Sequence, residues 1–306
     1  MNLSYGTICT KLNKCSQLKE DIMTQYIITT ESGSDLPKEF IDRHNIYIIP
    51  MHVTMGDKTY EDGSFKVEKA FEYYEKTGTL PKTSGSTPQD NTNIFEEVRA
   101  EYPDAHIIHI AYSAVTTVSY KAAQIAAEEF ENIHLVDAKH VNFGLTAVVK
   151  ATAEFIEENP EATPDEIISY VEDVRERTKM VFLPKTLLYL RAGGRVSNLA
   201  YHGANLLKLQ PTIILENGYL VSGKKYRGSF ERSLTRTMND FFSTYDIEPD
   251  SVLIGGAPGV TDSQKQMVID IAKENGITNP VWRDTGAVIS CHGGPGAVGI
   301  AGIIRA

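Results

Sequence analysis

The sequence predicts an α/β fold with two domains, a parallel-sheet three-layer α/β/α domain followed by a second α/β domain with a mixed sheet. Three observations support this prediction. The chain has 306 residues, and a length of roughly 100–200 residues per domain suggests two domains, with one large α/β unit as the alternative. Apolar strands alternate with helices in the first half, which indicates parallel strands joined by crossover helices. Shorter strands follow, and Asn217-Gly218 between two of them favours an antiparallel hairpin.

The domain limits are predicted from these changes of pattern. Residues 1–24 are polar, contain two of the three cysteines and precede the first convincing strand, so we expect them to lie outside the fold. Met23 favours a start codon placed too early, and an adaptor-like tail is the alternative. Residues 25–178 are predicted to form the N-terminal α/β domain, of which residues 52–80 or so could pack with the second domain. Residues 179–306 are predicted to form the C-terminal α/β domain.

In the first domain, β-branched and apolar runs bounded by turn residues predict strands, and apolar residues at helical spacing predict helices. Pro37 is expected to begin the first helix and Gly78 to end the second. Gly56-Asp57-Lys58 predicts a hairpin-like turn. The predicted strands are residues 26–30, 46–53, 106–111 and 133–136. The predicted helices are residues 38–44, 65–76, 91–101, 118–130, 142–159 and 164–178.

The same patterns predict the elements of the second domain. Residues 188–197 are interpreted as a helix end that passes into a diglycine turn. The predicted strands are residues 180–183, 210–216, 219–223, 251–255 and 299–304. The predicted helices are residues 229–245 and 262–275.

The composition limits the class of function. With 42% hydrophobic and 23% charged residues, the chain is unlike disordered, collagenous or fibrous proteins. Thirty Lys plus Arg against 40 Asp plus Glu give a formal charge of −10, the wrong sign for coating nucleic acid or an anionic membrane, so we expect no nucleic-acid partner. No apolar stretch approaches the roughly 20 residues that span a bilayer, and no signal-peptide pattern is present, so we expect no integral membrane segment.

The cysteines indicate the compartment. Cys9, Cys15 and Cys291 are too few for a disulfide framework, and none lies in a CxxC pair or at zinc-ligand spacing. We therefore expect a reducing, cytoplasmic compartment and no metal site.

Four polar loops are candidates for ligand binding. Two of them directly follow predicted parallel strands, at the sheet edge where α/β proteins bind ligands. Hydroxyl groups donate hydrogen bonds without bringing charge, so several of them facing one histidine, such as His292, suit an anionic head group. For a single Ser or Thr, however, capping of local backbone groups is the more common role. The loops are residues 32–35, 83–87, 113–119 and 291–296.

Two arginines in an acidic chain are candidates for contact with a partner. Arg195 lies in the diglycine turn, where it is either a helix-end cation or part of a docking surface or anion clamp. Arg227 follows Lys224 and Lys225 after the predicted hairpin, and this local positive charge could select a partner. A solvated strand end would have the same composition.

Common enzyme signatures are absent from the sequence. It contains no phosphate-binding GxxxxGK[ST] loop, no dinucleotide-binding GxGxxG after the first strand, no GxSxG nucleophile elbow and no HExxH. A Ser/His/Asp assembly of distant residues stays open, because triads are defined in space and not by spacing.

Seven motifs in order resemble the DegV family of fatty-acid-binding proteins. The likeness extends from about Tyr26 to Ala306, and it is specific because the motifs match in both order and spacing. The motifs are SGSDLP, PKTSGST, SAVTTVSYKAA, VDAKHVNFGL, LLYLRAGGRVSN, YRG and HGGPGAVGI.

The resemblance implies two α/β domains that enclose one long-chain fatty acid, with the acyl chain in an apolar tunnel and the carboxylate at the domain interface. Members that resemble FakB present this carboxylate to a separate ATP-dependent fatty acid kinase subunit, FakA, which makes acyl phosphate for phospholipid synthesis. The chain would then be a lipid-binding subunit and not itself an enzyme, with no cofactor besides the bound fatty acid. We expect a monomer.

The resemblance also assigns roles to residues. Arg195 and Arg227 would dock the kinase. The residues expected to bind the ligand are Thr83, Ser84, Thr117, His292 and Gly293.

Two alternative functions are considered. One is a hydrolase or transferase that uses His292 as a base with a nearby hydroxyl, which needs an acidic residue to orient the imidazole. The other is a lipid sensor.

Three loops depart from the family pattern. The chain has TSGST at residues 83–87 where the family usually has TSQPS, and residues 113–119 lack the glycines of an SSGLSGT-like loop. The first strand ends TTES where the family tends to have TDS. Thr117 adds a methyl group and Val118 stiffens its loop, so we expect a narrower pocket, a different acyl chain or a different head group.

Overall fold

The structure, a computed structural model, describes residues 25–197, 204 and 206–306. The predicted extension at residues 1–24 lies outside these residues. The strands are β1 (Tyr26–Glu31), β2 (Tyr47–Ile49), β3 (His52–Met55), β4 (Lys58–Glu61), β5 (Lys82–Ser84), β6 (His106–Ala111), β7 (Ile133–Asp137), β8 (Thr178–Leu183), β9 (Gln210–Glu216), β10 (Tyr219–Tyr226), β11 (Leu253–Gly256), β12 (Trp282–Asp284) and β13 (Val298–Ile303). The helices are α1 (Lys38–His44), α2 (Glu68–Thr77), α3 (Pro88–Glu101), α4 (Ser119–Ala127), α5 (Asn142–Glu158), α6 (Pro164–Arg177), α7 (Leu188–Ala192), α8 (Phe230–Thr244), α9 (Asp262–Glu274) and α10 (Ala287–Gly293).

The first sheet is parallel and buried on both faces. Its strand order is β2-β1-β6-β7, and Ile27 and Ile28 pair with Ile107 and Ile108. Ile27 and Ile107 pack in a cluster with Phe95 of α3, whereas Ile28 and Ile108 pack in the cluster that contains residues of α5. Alternate residues therefore serve opposite faces, as the two-residue period of a strand requires.

The second sheet is mixed. Its order is β10-β9-β8-β13-β11-β12, and every neighbouring pair is antiparallel except β11 and β12. Asn217 and Gly218 both have positive φ in the tight turn of the predicted hairpin. Helices α8 and α9 cover one face, and α5 packs against β8 and β13 on the other while also contacting β1. The predicted two-domain α/β fold class, with one parallel and one mixed sheet, is confirmed.

A small third sheet corrects one prediction. Residues 46–53 were expected to form a single strand, but Pro50 lacks an N–H and the chain leaves the parallel sheet there. β2 stays in the parallel sheet, whereas β3 pairs antiparallel with both β4 and β5. An apolar run does not show which sheet each part joins. The domain limits themselves stay a prediction.

Two segments expected to be loops have regular structure. Residues 83–87 begin within β5, where Thr83 pairs with Val53 of β3. His292 was expected in a tight turn but lies in the last turn of α10, and the turn follows at Gly294 with φ of 77°. α10 is one seven-residue helix, too short for its apolar period to be recognised. None of the described helices is long and apolar enough to cross a bilayer.

Candidate ligand-binding site

A largely apolar cavity lies between the second sheet and the segments that follow strands of the first sheet. It encloses about 850 Å³ of space between atoms, including solvent at its opening. Strands of the second sheet, the start of α5 and the inner face of α10 supply its walls. Apolar lining residues include Val141, Phe143, Met180, Phe182, Leu220 and Val298.

Polar groups converge on one part of this cavity. Thr83 Oγ1 lies 2.7 Å from His292 Nε2, although 209 positions separate the two residues in the chain. Thr83 is held by the pairing of β5 with β3, and His292 by its place in α10. Ser84 and Gly293, their chain neighbours, also line the cavity. Two short elements from different parts of the chain thus create the hydroxyl-imidazole pair.

His292 is a neutral imidazole at neutral pH. Burial, with a smaller contribution from the positive charge of Arg195, lowers its pKa to about 4. Its Nδ1 is buried and has no hydrogen-bond partner among the described residues. A Cβ atom at Gly193 would lie within 3.0 Å of this nitrogen. No carboxylate therefore orients the ring through Nδ1 within the described part of the chain.

The loop after β6 brings Thr116 and Thr117 to the same cavity. Thr117 Oγ1 lies 3.2 Å from Ser119 Oγ, and the Ser86 N–H donates to Ser119 Oγ at 3.1 Å. A Cβ at Gly85 would lie within 3.0 Å of both hydroxyl oxygens. Gly85 has no positive φ, so the contact, and not the backbone conformation, requires glycine here. One signal of this contact is present in the sequence, because both loops depart from the family pattern.

The two arginines occupy different places. Arg195 lines the cavity, and its guanidinium donates to the Thr116 carbonyl at 2.6 Å and also to the Gly193 carbonyl. It therefore ties the loop after β6 to the turn after α7. Arg227 is exposed and is not among the residues that line the cavity.

The predicted loop at residues 32–35 does not line the cavity but holds the start of α10. Asp62 Oδ1 accepts hydrogen bonds from the N–H groups of Ala287 and Val288, at 2.9 and 3.2 Å, and Asp62 Oδ2 accepts one from Ser32 Oγ at 3.0 Å. Asp35 lies beside Gly286 and accepts a hydrogen bond from the side chain of Asn142 at 2.5 Å. Burial raises the pKa of both carboxyl groups. These contacts fix the helix that carries His292.

A buried acid lies behind the cavity wall, where the first strand departs from the family pattern. Glu31 and His109 are both fully buried, with Oε1 3.6 Å from Nε2. Glu31 Oε2 also accepts a hydrogen bond from the N–H of Tyr112 at 2.8 Å, and Tyr112 lines the cavity. The sequence shows the changed end of the first strand, but not that Glu31 lies beside His109.

The described residues contain no cluster of three or more side chains that could hold a metal ion. Cys291, next to His292, is buried and unpaired, and burial raises the pKa of its thiol to about 12. It is therefore a thiol, not the nucleophilic thiolate, at neutral pH.

Comparison with known proteins identifies similar chains. A sequence model described as an uncharacterised protein, DegV family, matches residues 25–305. A DegV domain-containing protein of Clostridium perfringens is 29% identical over 283 residues, which cover 91% of this chain and 98% of that protein. A DegV domain-containing protein of Staphylococcus aureus is 27% identical over 282 residues, covering 91% and 98% respectively.

Solved structures are similar in fold. A DegV family protein from Thermus thermophilus, described by its fatty acid binding, has a TM-score of 0.80 and 21% identity, and the match covers 92% of this chain and all of that one. DegV, a fatty acid binding protein from Bacillus subtilis, has a TM-score of 0.78 and 21% identity, with the same coverage. A stearic-acid-binding protein from Eubacterium ventriosum has a TM-score of 0.77 and 19% identity, covering 92% and 98%.

Proposed function

Because the chain belongs to the DegV family, we propose that it binds one long-chain fatty acid in the cavity between its second sheet and the segments that follow strands of the first sheet. The observation that carries this proposal is the form of the cavity, which has apolar walls and one polar part made by Thr83, Thr117, His292 and Arg195. Solved structures of similar fold that are described as binding fatty acids support this proposal. An amphipathic ligand with one acidic end fits both parts of this cavity.

The acyl chain would supply most of the affinity. Burying about 16 to 18 carbons at roughly 0.8 kcal/mol per methylene stabilises the complex by on the order of 10 kcal/mol before the costs of association. The walls of the cavity can accept such a chain because they consist mainly of aliphatic and aromatic groups.

The carboxylate would be held by uncharged donors. We assign the hydroxyls of Thr83, Ser84 and Thr117, the imidazole of His292 and the backbone at Gly293 to this role. A buried ionised carboxylate must be hydrogen-bonded, and His292 can donate from one nitrogen while it stays neutral. Arg195 lies close enough to depress the pKa of His292, so its field also favours an anion there.

The alternative, a hydrolase or transferase with His292 as base, is less well supported. A base with a pKa of about 4 is a weak proton acceptor at neutral pH. The orienting acid that such a mechanism uses is missing among the described neighbours of Nδ1.

The second part of the proposal is that the protein presents the carboxylate to an ATP-dependent fatty acid kinase subunit, which makes acyl phosphate for phospholipid synthesis. Exposed Arg227 is proposed to contact the kinase, and Arg195 to serve both the kinase and the cavity. Arg227→Ala should then slow acyl phosphate formation in the presence of the kinase and leave fatty acid affinity unchanged. If the kinase forms acyl phosphate equally fast with the Arg227→Ala variant and with the wild-type protein, this docking role is contradicted.

Mass spectrometry of the purified protein, first native and then after denaturing extraction, tests fatty acid binding. We expect one fatty acid per chain. A protein that arrives empty and that also takes up no added fatty acid, while folded by circular dichroism, would refute the proposed ligand and favour a different small anion.

A further inference from the structure

The side chain of Phe143 forms part of the apolar wall of the cavity. The residue lies in the first turn of α5, is only 1% exposed and lines the cavity. Asn142 fixes the start of this helix through its hydrogen bond to Asp35. The ring of Phe143 is thereby held over the second sheet.

The sheet beneath this ring carries glycines. A Cβ at Gly255 of β11 would lie 2.6 Å from Phe143 Cζ, and one at Gly299 of β13 would lie 3.6 Å from Phe143 Cδ2. Gly255 and Gly299 are direct partners across the two antiparallel strands. The Phe143 ring thus occupies space that side chains of the sheet would otherwise fill.

This arrangement has a consequence for the size of the cavity. In most cores, neighbouring side chains can partly relax into the space left by a truncated residue. Here two of the nearest positions have no side chains, and Gly255 cannot acquire one because its Cβ would also collide with the backbone of Arg283. Space opened at Phe143 would therefore stay open to the cavity.

We propose that Phe143, seated on Gly255 and Gly299, determines which acyl chains the protein accepts by limiting the space in the apolar part of the cavity. This inference rests on the proposed function and assigns its selectivity to one contact. Gly299 also lines the cavity, beside Phe182. In this proposal the acyl chain occupies the space at Gly299.

Two substitutions should change selectivity in opposite directions. Phe143→Ala removes six carbon atoms, and because protein interiors are packed as densely as organic crystals, the space gained fits at most about six ligand carbons. We expect the preferred chain to lengthen by roughly two carbons or more within this limit. Gly299→Ala adds a methyl group 3.3 Å from Phe182 Cβ, so it should favour shorter chains.

The experiment loads delipidated protein with an equimolar mixture of saturated fatty acids that differ by pairs of carbons, and measures the bound acids by mass spectrometry. Phe95→Ala is the matched control, because Phe95 is fully buried against the parallel sheet and is not among the cavity-lining residues. It should lose stability but keep the wild-type distribution. If Phe143→Ala does not fold, Phe143→Leu and Gly299→Ala carry the test.

The possible results separate the two proposals. Opposite shifts in the Phe143 and Gly299 variants, with no shift in the control, would support the inference. Wild-type protein loaded with fatty acid, but with the same distribution in both variants, would overturn it and leave the proposed function intact. Wild-type protein that binds none of the acids would instead refute the proposed function.

Discussion

The two parts of the cavity are built by different means. At the polar part, residues far apart in sequence meet through hydrogen bonds, as Thr83 and His292 do at 2.7 Å. At the apolar part, the contact is made by shape, with the ring of Phe143 lying where Gly255 and Gly299 have no side chains. Hydrogen bonds specify the chemistry of a ligand, whereas shape specifies its size. The difference implies that affinity for the carboxylate and selectivity among acyl chains can be changed separately.

The largest expected effect comes from removing hydrogen-bonding groups of the polar part alone. His292→Ala combined with Thr83→Val removes two proposed hydrogen bonds to a carboxylate, each contributing about 1.5–3 kcal/mol. We expect fatty acid affinity to fall by about 100-fold or more, without unfolding and without a change in the preferred chain length. Titration with a fluorescent fatty acid, together with a thermal melt, measures both quantities.

The matched control for this variant is Thr77→Val. Thr77 is exposed at the end of α2, and its hydroxyl donates to the carbonyl of Tyr73. Its loss should leave affinity unaltered. Full retention of fatty acid by the double variant would show that the carboxylate is bound elsewhere.

Most of the fold was accessible from sequence because its long elements have strong periods. β6 has the predicted limits, and α6 ends one residue before its predicted end. The elements that were missed, such as β5, β12 and α10, are short, and the two strands among them pair with partners distant in the chain. A run of three residues has no measurable period, so only the tertiary structure identifies it.

The candidate site was accessible to a smaller extent. The resemblance selected Thr83 and His292, but residue spacing alone contained no information that positions 83 and 292 meet. Arg195 was expected to be a helix-end cation or part of a docking surface or anion clamp. Its guanidinium lines the cavity and donates to two backbone carbonyls, and its contact with a partner stays a prediction. The contact of Phe143 with the second sheet depends on the absence of a Cβ at Gly255 and Gly299, and no sequence pattern distinguished these two glycines.

The next predicted effect is the contribution of His292 to the pH dependence of folding stability. Burial lowers its pKa from 6.5 to about 4, so below pH 6.5 the unfolded chain binds a proton that the folded chain does not. Folding stability is therefore lost as the pH falls through this window, at about 1.4 kcal/mol per pH unit. Between pH 6.5 and 5 we expect a loss of about 2 kcal/mol from this residue, which His292→Gln should abolish in urea unfolding.

His140 supplies an internal comparison for this pH dependence. Its pKa is also lowered to about 4 by burial, but it is not among the residues that line the cavity. A bound carboxylate would raise the pKa of His292, so fatty acid should reduce the pH dependence that His292→Gln removes. It should leave the part that His140→Gln removes unchanged. An equal effect of fatty acid on both would contradict contact between His292 and the carboxylate.

The last predicted effect concerns the loop contact beside the polar part. Gly85→Ala places a methyl group against Thr117 and Ser119, and overpacking of this kind costs about 1–3 kcal/mol. Because Gly85 and Thr117 both line the cavity, we expect weaker fatty acid binding as well as a lower unfolding free energy. Thr117→Ala removes one of the two colliding hydroxyls, so the double variant should lose less than the sum of the single variants. Strict additivity would mean that the two loops do not constrain each other, and the joint change of both loops from the family pattern would then need another cause.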